Sequence, residues 1–179
     1  MLLTGKILHI PTVALRFQNV YGPSQSLSNP YTGILSIFST RILNRNDIDV
    51  YEDGKESRDF IYIDDAVDAT ILALEKQEIN HQIFNVGSGV PTSIFEVAHI
   101  LKKLYNSNIN IKISGRYRLG DIRHNYADLT KIKSVLGFKP KIDLVTGTSR
   151  FVVWAKTQKV HIDKYEDSIE ELKQKGFLK

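Results

Sequence analysis

Residues 11–17 (Pro-Thr-Val-Ala-Leu-Arg-Phe) constrain the fold more than any other stretch. The run is apolar nearly throughout and does not alternate, so it predicts a buried strand of a parallel sheet rather than a half-solvated antiparallel one. Such a strand needs neighbours, and just ten residues precede it. The expectation is a chain that begins part-way through a larger fold.

The segments that follow alternate between strand and helix signals. Residues 33–44 place Ile34, Leu35, Ile37, Phe38, Ile42 and Leu43 at helical spacing. Residues 48–51 and 60–63 predict strands, joined through the turn-rich residues 52–57. Asp64 or Asp65 should cap a helix over 66–76, and 82–86 predict a further strand closed by Gly87-Ser88-Gly89. Ser93-Ile94-Phe95-Glu96 has the form of a capping box and should open a helix to about Tyr105. A strand over 109–113 is followed by a basic loop over 116–126. A short helix then starts at Asp128 and stops at Gly137, and a core helix covers 144–156. Residues 160–179 predict a separate, polar tail helix. This alternation puts the chain in the α/β class.

Several chemistries drop out. There is no Cys, which removes disulfides, thiolate metal sites and thiol catalysis. The five His show no metal-ligand spacing, and no Ser sits in a Gly-x-Ser-x-Gly elbow. No Gly-x-Gly-x-x-Gly turn joins a strand to a helix, so a self-contained dinucleotide-binding domain is not expected. Of the Tyr-x-x-x-Lys pairs, Tyr51 and Lys55 alone have the spacing, and they fall across a strand end and the Asp53-Gly54 turn rather than on a helix. No apolar run approaches the ~18 residues of a membrane span, and residues 1–8 lack a basic signal-peptide start, so a cytoplasmic protein without a membrane partner is expected.

Charge is unevenly spread. Residues 101–141 hold ten Lys and Arg against two Asp and Glu, while residues 1–100 are net acidic. A basic segment favours an anionic partner, which can be a diphosphate or a nucleic acid, although a solvated basic face needs no partner. The Asp residues interleaved with the Arg in 116–123 speak against nucleic acid. Arg58, at the start of a strand, can fork onto a phosphate or simply pair with Asp59 or Asp64. Asn19, just beyond the first strand, can grip a ligand or serve the turn before Gly22-Pro23.

Four blocks occur in an order that resembles one family. They are Arg16-Phe17-Gln18-Asn19-Val20-Tyr21-Gly22-Pro23; Glu52-Asp53-Gly54-Lys55-Glu56-Ser57-Arg58-Asp59-Phe60-Ile61-Tyr62-Ile63-Asp64-Asp65; Phe84-Asn85-Val86-Gly87-Ser88-Gly89; and Gly120-Asp121-Ile122-Arg123-His124-Asn125-Tyr126-Ala127-Asp128. Together they resemble the extended short-chain dehydrogenases, in the branch of NAD-dependent nucleotide-sugar epimerases and dehydratases, over about residues 4–157. The stretch Gln25–Leu35 is most similar to the dTDP-L-rhamnose 4-epimerase-like subgroup.

The resemblance implies the C-terminal, substrate-binding part of a Rossmann-type fold, without the N-terminal cofactor-binding sheet. It divides the chain into a nucleotide-sugar-binding part, 1–157, and a polar helical tail, 158–179. By position it implies that Asn19, Thr32, Gly33, Asp49, Tyr51, Arg58, Arg118, Asp121 and Arg123 contact a nucleoside-diphosphate sugar, and that Phe17 and Val20 border the nicotinamide of NAD. The family's catalytic Tyr and Lys have no counterpart here, so no catalytic residue is assigned and the chain alone is not expected to be active. A separate N-terminal half, or a second copy of the chain, is the expected protein partner. The alternative is a stand-alone module that binds nucleotide sugars without chemistry.

Overall fold

The computed structural model describes every residue except Pro30, Thr32, Gln77 and Glu78. The chain opens with a short helix, α1 (Leu2–Ile7), that no sequence signal announced. The apolar run then becomes β1 (Val13–Phe17), followed at once by β2 (Asn19–Tyr21). After α2 (Ile34–Leu43) come β3 (Ile48–Val50), β4 (Ser57–Tyr62) and α3 (Ile63–Glu75). The second half runs β5 (Gln82–Val86), β6 (Pro91–Ser93), α4 (Ile94–Tyr105), β7 (Ile111–Ile113) and β8 (His124–Asn125). It closes with α5 (Thr130–Leu136), α6 (Leu144–Thr157) and α7 (Tyr165–Gln174).

Among the described residues the strands form three small sheets. β1 pairs with β5, β2 with β4, β3 with β7 and β4 with β8, all parallel, and β6 joins β4 antiparallel. Parallel neighbours need crossover connections, and the helices supply them, which makes the architecture α/β. β1 departs from its expected burial: Val13, Ala14 and Leu15 are half-buried, and Arg16 and Phe17 are exposed. The reason is that β5 is its one partner among the described residues, so its other edge is uncovered.

Two apolar clusters hold the elements together. One joins α2, α4 and α6 to β3 and β4 through Phe38, Ile48, Leu101 and Phe151. The other lies under β5, where Phe84, Ile132 and Phe138 meet Ala69 of α3. Tyr165, Ile169 and Leu178 belong to the first cluster, so the C-terminal segment is packed into the core rather than apart from it.

Local signals act as read at Ser93 and Gly137, whereas α5 takes Leu129 and not Asp128 as its N-cap. Ser93 Oγ accepts from Glu96 N at 3.1 Å, Asp143 caps α6 by accepting from Thr146 N at 2.8 Å, and Gly137 ends α5 at φ 69°. A further exception is α3, which begins at Ile63, ahead of both Asp64 and Asp65. Asp65 is buried and instead accepts from the backbone N–H groups of Lys141 and Ile142, both at 3.0 Å, fixing the approach to α6.

Asp59 is the polar centre of the first half of β4. It is fully buried and accepts from Ser88 N at 2.7 Å, Ser88 Oγ at 2.6 Å, Gly89 N at 2.9 Å and Ala127 N at 3.1 Å. Gly87 permits this, because a Cβ there would lie 2.3 Å from Asp59 Oδ2. One carboxylate thus ties β4 to the turn after β5 and to the chain entering α5, which puts Arg58 and the 116–126 loop on the same rim.

Candidate functional site

A cleft of about 530 Å³ opens where the ends of β2, β3 and β4 converge on the start of α2. Ligands of α/β folds gather beyond the carboxyl ends of parallel strands, and β2 and β3 present theirs here. Asn19, Val20, Gly33, Asp49, Tyr51, Arg58, Arg118 and Asp121 all line it. Two expected residues do not. Phe17 is 44% exposed at the end of β1, outside the cleft, and Arg123 lies beside it. Thr32 falls outside the described residues.

The cationic side of the cleft is organised by β4 and the loop before β8. Arg58 Nη2 donates to Asp121 Oδ1 at 2.7 Å, and its Nη1 donates to the carbonyls of Ser57 at 2.9 Å and Arg123 at 3.1 Å. Its partner is therefore Asp121, and neither Asp59 nor Asp64 serves it. The other partners that sequence offered are engaged elsewhere: Asp59 is sequestered in the core, and Asp64 faces Arg150 at 3.7 Å. Asn19 Nδ2 donates to the Asp59 carbonyl at 3.2 Å, which leaves its side-chain oxygen to the cleft.

Arg123 is drawn away by acids on the turn after β3. It donates to Glu52 Oε2 at 2.5 Å and forks onto both oxygens of Asp53 at 2.9 and 2.8 Å. The guanidinium holds the Asp53 carboxyl below the usual carboxylate range. Glu52, Asp53 and Glu56 bring one oxygen each within 4.8 Å of one another, and Arg123 supplies the positive charge that such a trio needs. Glu56, on the cleft wall, is 7% exposed, and neither of its carboxyl oxygens finds a partner among the described residues. Burial, reinforced by Glu52 and Asp53, pushes its carboxyl up.

The opposite end of the cleft is aromatic and acidic. Asp49 is ion-paired with Arg116, and the guanidinium carbons of Arg116 and Arg118 lie 5.7 and 5.6 Å from the Tyr51 ring centroid. Tyr165, from α7, completes this wall. Sequence reasoning passed over both Tyr165 and Glu56. The spacing of Tyr165, Ile169 and Leu172 carries a helical apolar stripe that pointed to a docked helix. Glu56 left no signal, since an acid in a charged turn reads as solvated.

A family model described as the NAD dependent epimerase/dehydratase family matches residues 6–87. A dTDP-L-rhamnose 4-epimerase from Burkholderia thailandensis is 40% identical over 144 residues, spanning 80% of this chain and 39% of that protein. The chain belongs to the NAD-dependent epimerase/dehydratase family. A UDP-glucose 4-epimerase from Thermotoga maritima, solved with UDP-glucose, matches this family member at a TM-score of 0.78 and 32% identity, over 86% of this chain and 48% of that one. A UDP-N-acetylglucosamine 4-epimerase from Methanobrevibacter ruminantium, solved with UDP-N-acetylmuramic acid, matches at 0.80 and 33%, over 88% of this chain and 51% of that one. The chain thus spans about half the length of these relatives. Its α/β architecture is that of the Rossmann-like epimerases, and among its described residues no helix is long and apolar enough to cross a membrane.

The family is NAD-dependent, and among the described residues the Gly87-Ser88-Gly89 turn is not free to cradle the cofactor's diphosphate. The Gly87-Ser88-Gly89 turn offers the backbone N–H groups such a cradle uses, and the Asp59 carboxylate already fills them.

Proposed function

We propose that the chain is the nucleotide-sugar-binding portion of an NAD-dependent nucleotide-sugar 4-epimerase, with residues 1–157 carrying most of the site, Tyr165 of α7 completing its wall, and NAD held mainly by protein outside this chain. The observation that carries the reading is the polarity of the cleft. Arg58 lies with Asn19 on β4 and β2, whereas Arg118 lies over the Tyr51 ring beside Asp49. A nucleoside-diphosphate sugar has the same order, with diphosphate between an aromatic base and a polyhydroxylated ring. Guanidinium groups suit the diphosphate through paired, charge-assisted hydrogen bonds. Asn19 and Asp121 offer an amide and a carboxylate to the sugar and ribose hydroxyls. Phe17 and Val20 face the nicotinamide side, and Gly33, at φ 81°, opens α2 against the cleft.

The chemistry of a 4-epimerase needs a hydride acceptor and a base at the sugar hydroxyl. This chain binds and orients, and the NAD and the proton-transfer groups come from a separate N-terminal half or a longer protein in the cytoplasm. The uncovered edge of β1 supports that division, because an apolar parallel strand gains from a second neighbour.

A thermal melt of the chain tests the reading. A ligand that binds just the folded state stabilises it by about 2.7 kcal/mol at one hundred times its Kd. UDP or dTDP should raise the midpoint, and free uridine should do so far less. Equal, negligible shifts from all of them overturn the proposal.

A further inference from the structure

The C-terminal segment forms one wall of the cleft and grips two others. Tyr165 is 5% exposed, and its hydroxyl donates to Asp49 Oδ2 at 2.9 Å and lies 3.3 Å from the Tyr51 hydroxyl. A hydroxyl has one proton. With that proton on Asp49, the second contact is filled by Tyr51 donating back, so the two rings and the carboxylate become one hydrogen-bonded unit. The Tyr165 ring is itself clamped: the Arg41 guanidinium sits 4.3 Å from its centroid, and Asp163 at 3.3 Å and Glu166 at 3.2 Å hold Arg41 from either side of Tyr165 in the sequence. At its far end the segment bridges the arginine loop. Leu178 pairs with Arg118, and the backbones of Tyr117 and Lys179 exchange two hydrogen bonds, both at 3.0 Å.

We propose that Tyr165 is a positioning residue for nucleobase recognition, holding Asp49 and Tyr51 so that the site selects a base with an imide N–H, as in uracil and thymine. The proposal rests on the reading of the cleft as a nucleotide-sugar site. Tyr165 and Arg116 both engage Asp49 through the same oxygen, Oδ2, so neither of them takes Oδ1 of this cleft-lining carboxylate. An ionised carboxylate only accepts. It therefore welcomes the imide N–H of uracil or thymine. Cytosine presents a lone pair at that ring nitrogen, and the carboxylate repels it. Holding the carboxylate in one orientation turns this preference into discrimination, because a carboxylate free to rotate can accept instead from the exocyclic amine of cytosine.

The test is calorimetric titration of the full chain with UDP, CDP and inorganic pyrophosphate. The wild type should bind UDP in preference to CDP. Tyr165→Phe keeps the ring under Arg41 and removes the contact with Asp49. It should weaken UDP by about tenfold, the scale of one hydrogen bond to a charged group. It should also bring the UDP-to-CDP ratio towards one and leave pyrophosphate binding unchanged. A residue that merely supports the fold would weaken all three ligands alike, and that result, or an unchanged ratio, overturns the inference. Should the variant fail to fold, Asp49→Asn answers the same question: its amide can turn either face to the base, so the ratio should again fall, and a ratio that stays at the wild-type value overturns the inference. Failure of the wild type to bind UDP at all removes the proposed function, and this inference with it. UDP binding with an intact ratio in the variants removes the inference alone.

Discussion

Arg58 and Asp121 meet at 2.7 Å across the rim of the cleft, although 63 residues separate them in sequence. The pair is partly exposed, with side chains 17% and 47% accessible, so it contributes little to stability by itself. Its value is that it keeps a guanidinium at the rim with its planar fork already oriented.

A diphosphate should take Arg58 over from Asp121, since it offers more charge and a bidentate geometry. Arg58→Ala is expected to weaken UDP by about 10- to 100-fold, or roughly 1.4 to 2.7 kcal/mol. Calorimetric titration measures it, and an unchanged affinity would take Arg58 out of the site.

Asp59 should be the costliest residue on β4 to neutralise. Asp59→Asn removes the charge that four donors share and must turn an NH2 toward some of them. Orphaned buried donors and lost charge-assisted bonds together predict a loss of about 2 to 4 kcal/mol. The urea midpoint should fall with the slope unchanged. A loss below about 1 kcal/mol would contradict the role given to this carboxylate.

Gly147 sits where α6 crosses the Tyr21–Tyr62 pair. A Cβ there would lie 2.3 Å from the Tyr21 hydroxyl oxygen and 2.8 Å from Tyr62 Cδ2. Alanine gains about 1 kcal/mol of helix propensity, but overpacking costs about 1 to 3 kcal/mol. Both tyrosines are buried and cannot swing aside, so overpacking should win and Gly147→Ala should lower the melting midpoint. Adding Tyr21→Phe removes the nearer clash and should restore part of the loss. If the double variant is no better than the single one, the contact is not the cause.

Glu56 should make the fold more stable in acid. Its folded carboxyl is raised above the usual Glu range, so the unfolded chain gives up the proton more readily. The penalty is absent below the ordinary Glu value and grows as pH rises from there through the folded value. Glu56→Gln should therefore stabilise the chain at neutral pH, and the gain should vanish by about pH 4. Paired melts at the two pH values check this, and a gain that does not depend on pH would mean that shape, not charge, set the effect.

The sequence carried the elements well wherever the cause is local. Ser93 with Glu96 and Gly137 after α5 act through bonds and dihedral angles within a few residues, so their pattern alone announced them. α3 escaped this logic because Asp65 was taken by Lys141 and Ile142, 76 and 77 residues away, and could not serve as a cap.

By itself, the sequence determined the α/β class, the family blocks, the exclusion of thiol chemistry, and the residue types that line the cleft: amide, guanidinium, carboxylate and phenol. Tertiary structure decided who faces whom. It gave Arg58 to Asp121 and Arg123 to Glu52 and Asp53, brought Tyr165 against Asp49 from 116 residues away and, among the described residues, buried Glu56 without a partner and left one edge of β1 uncovered. The physical reason is range. Propensity and capping act over a turn or two of chain, whereas ion pairing and burial act through space, and folding alone sets which charges share that space.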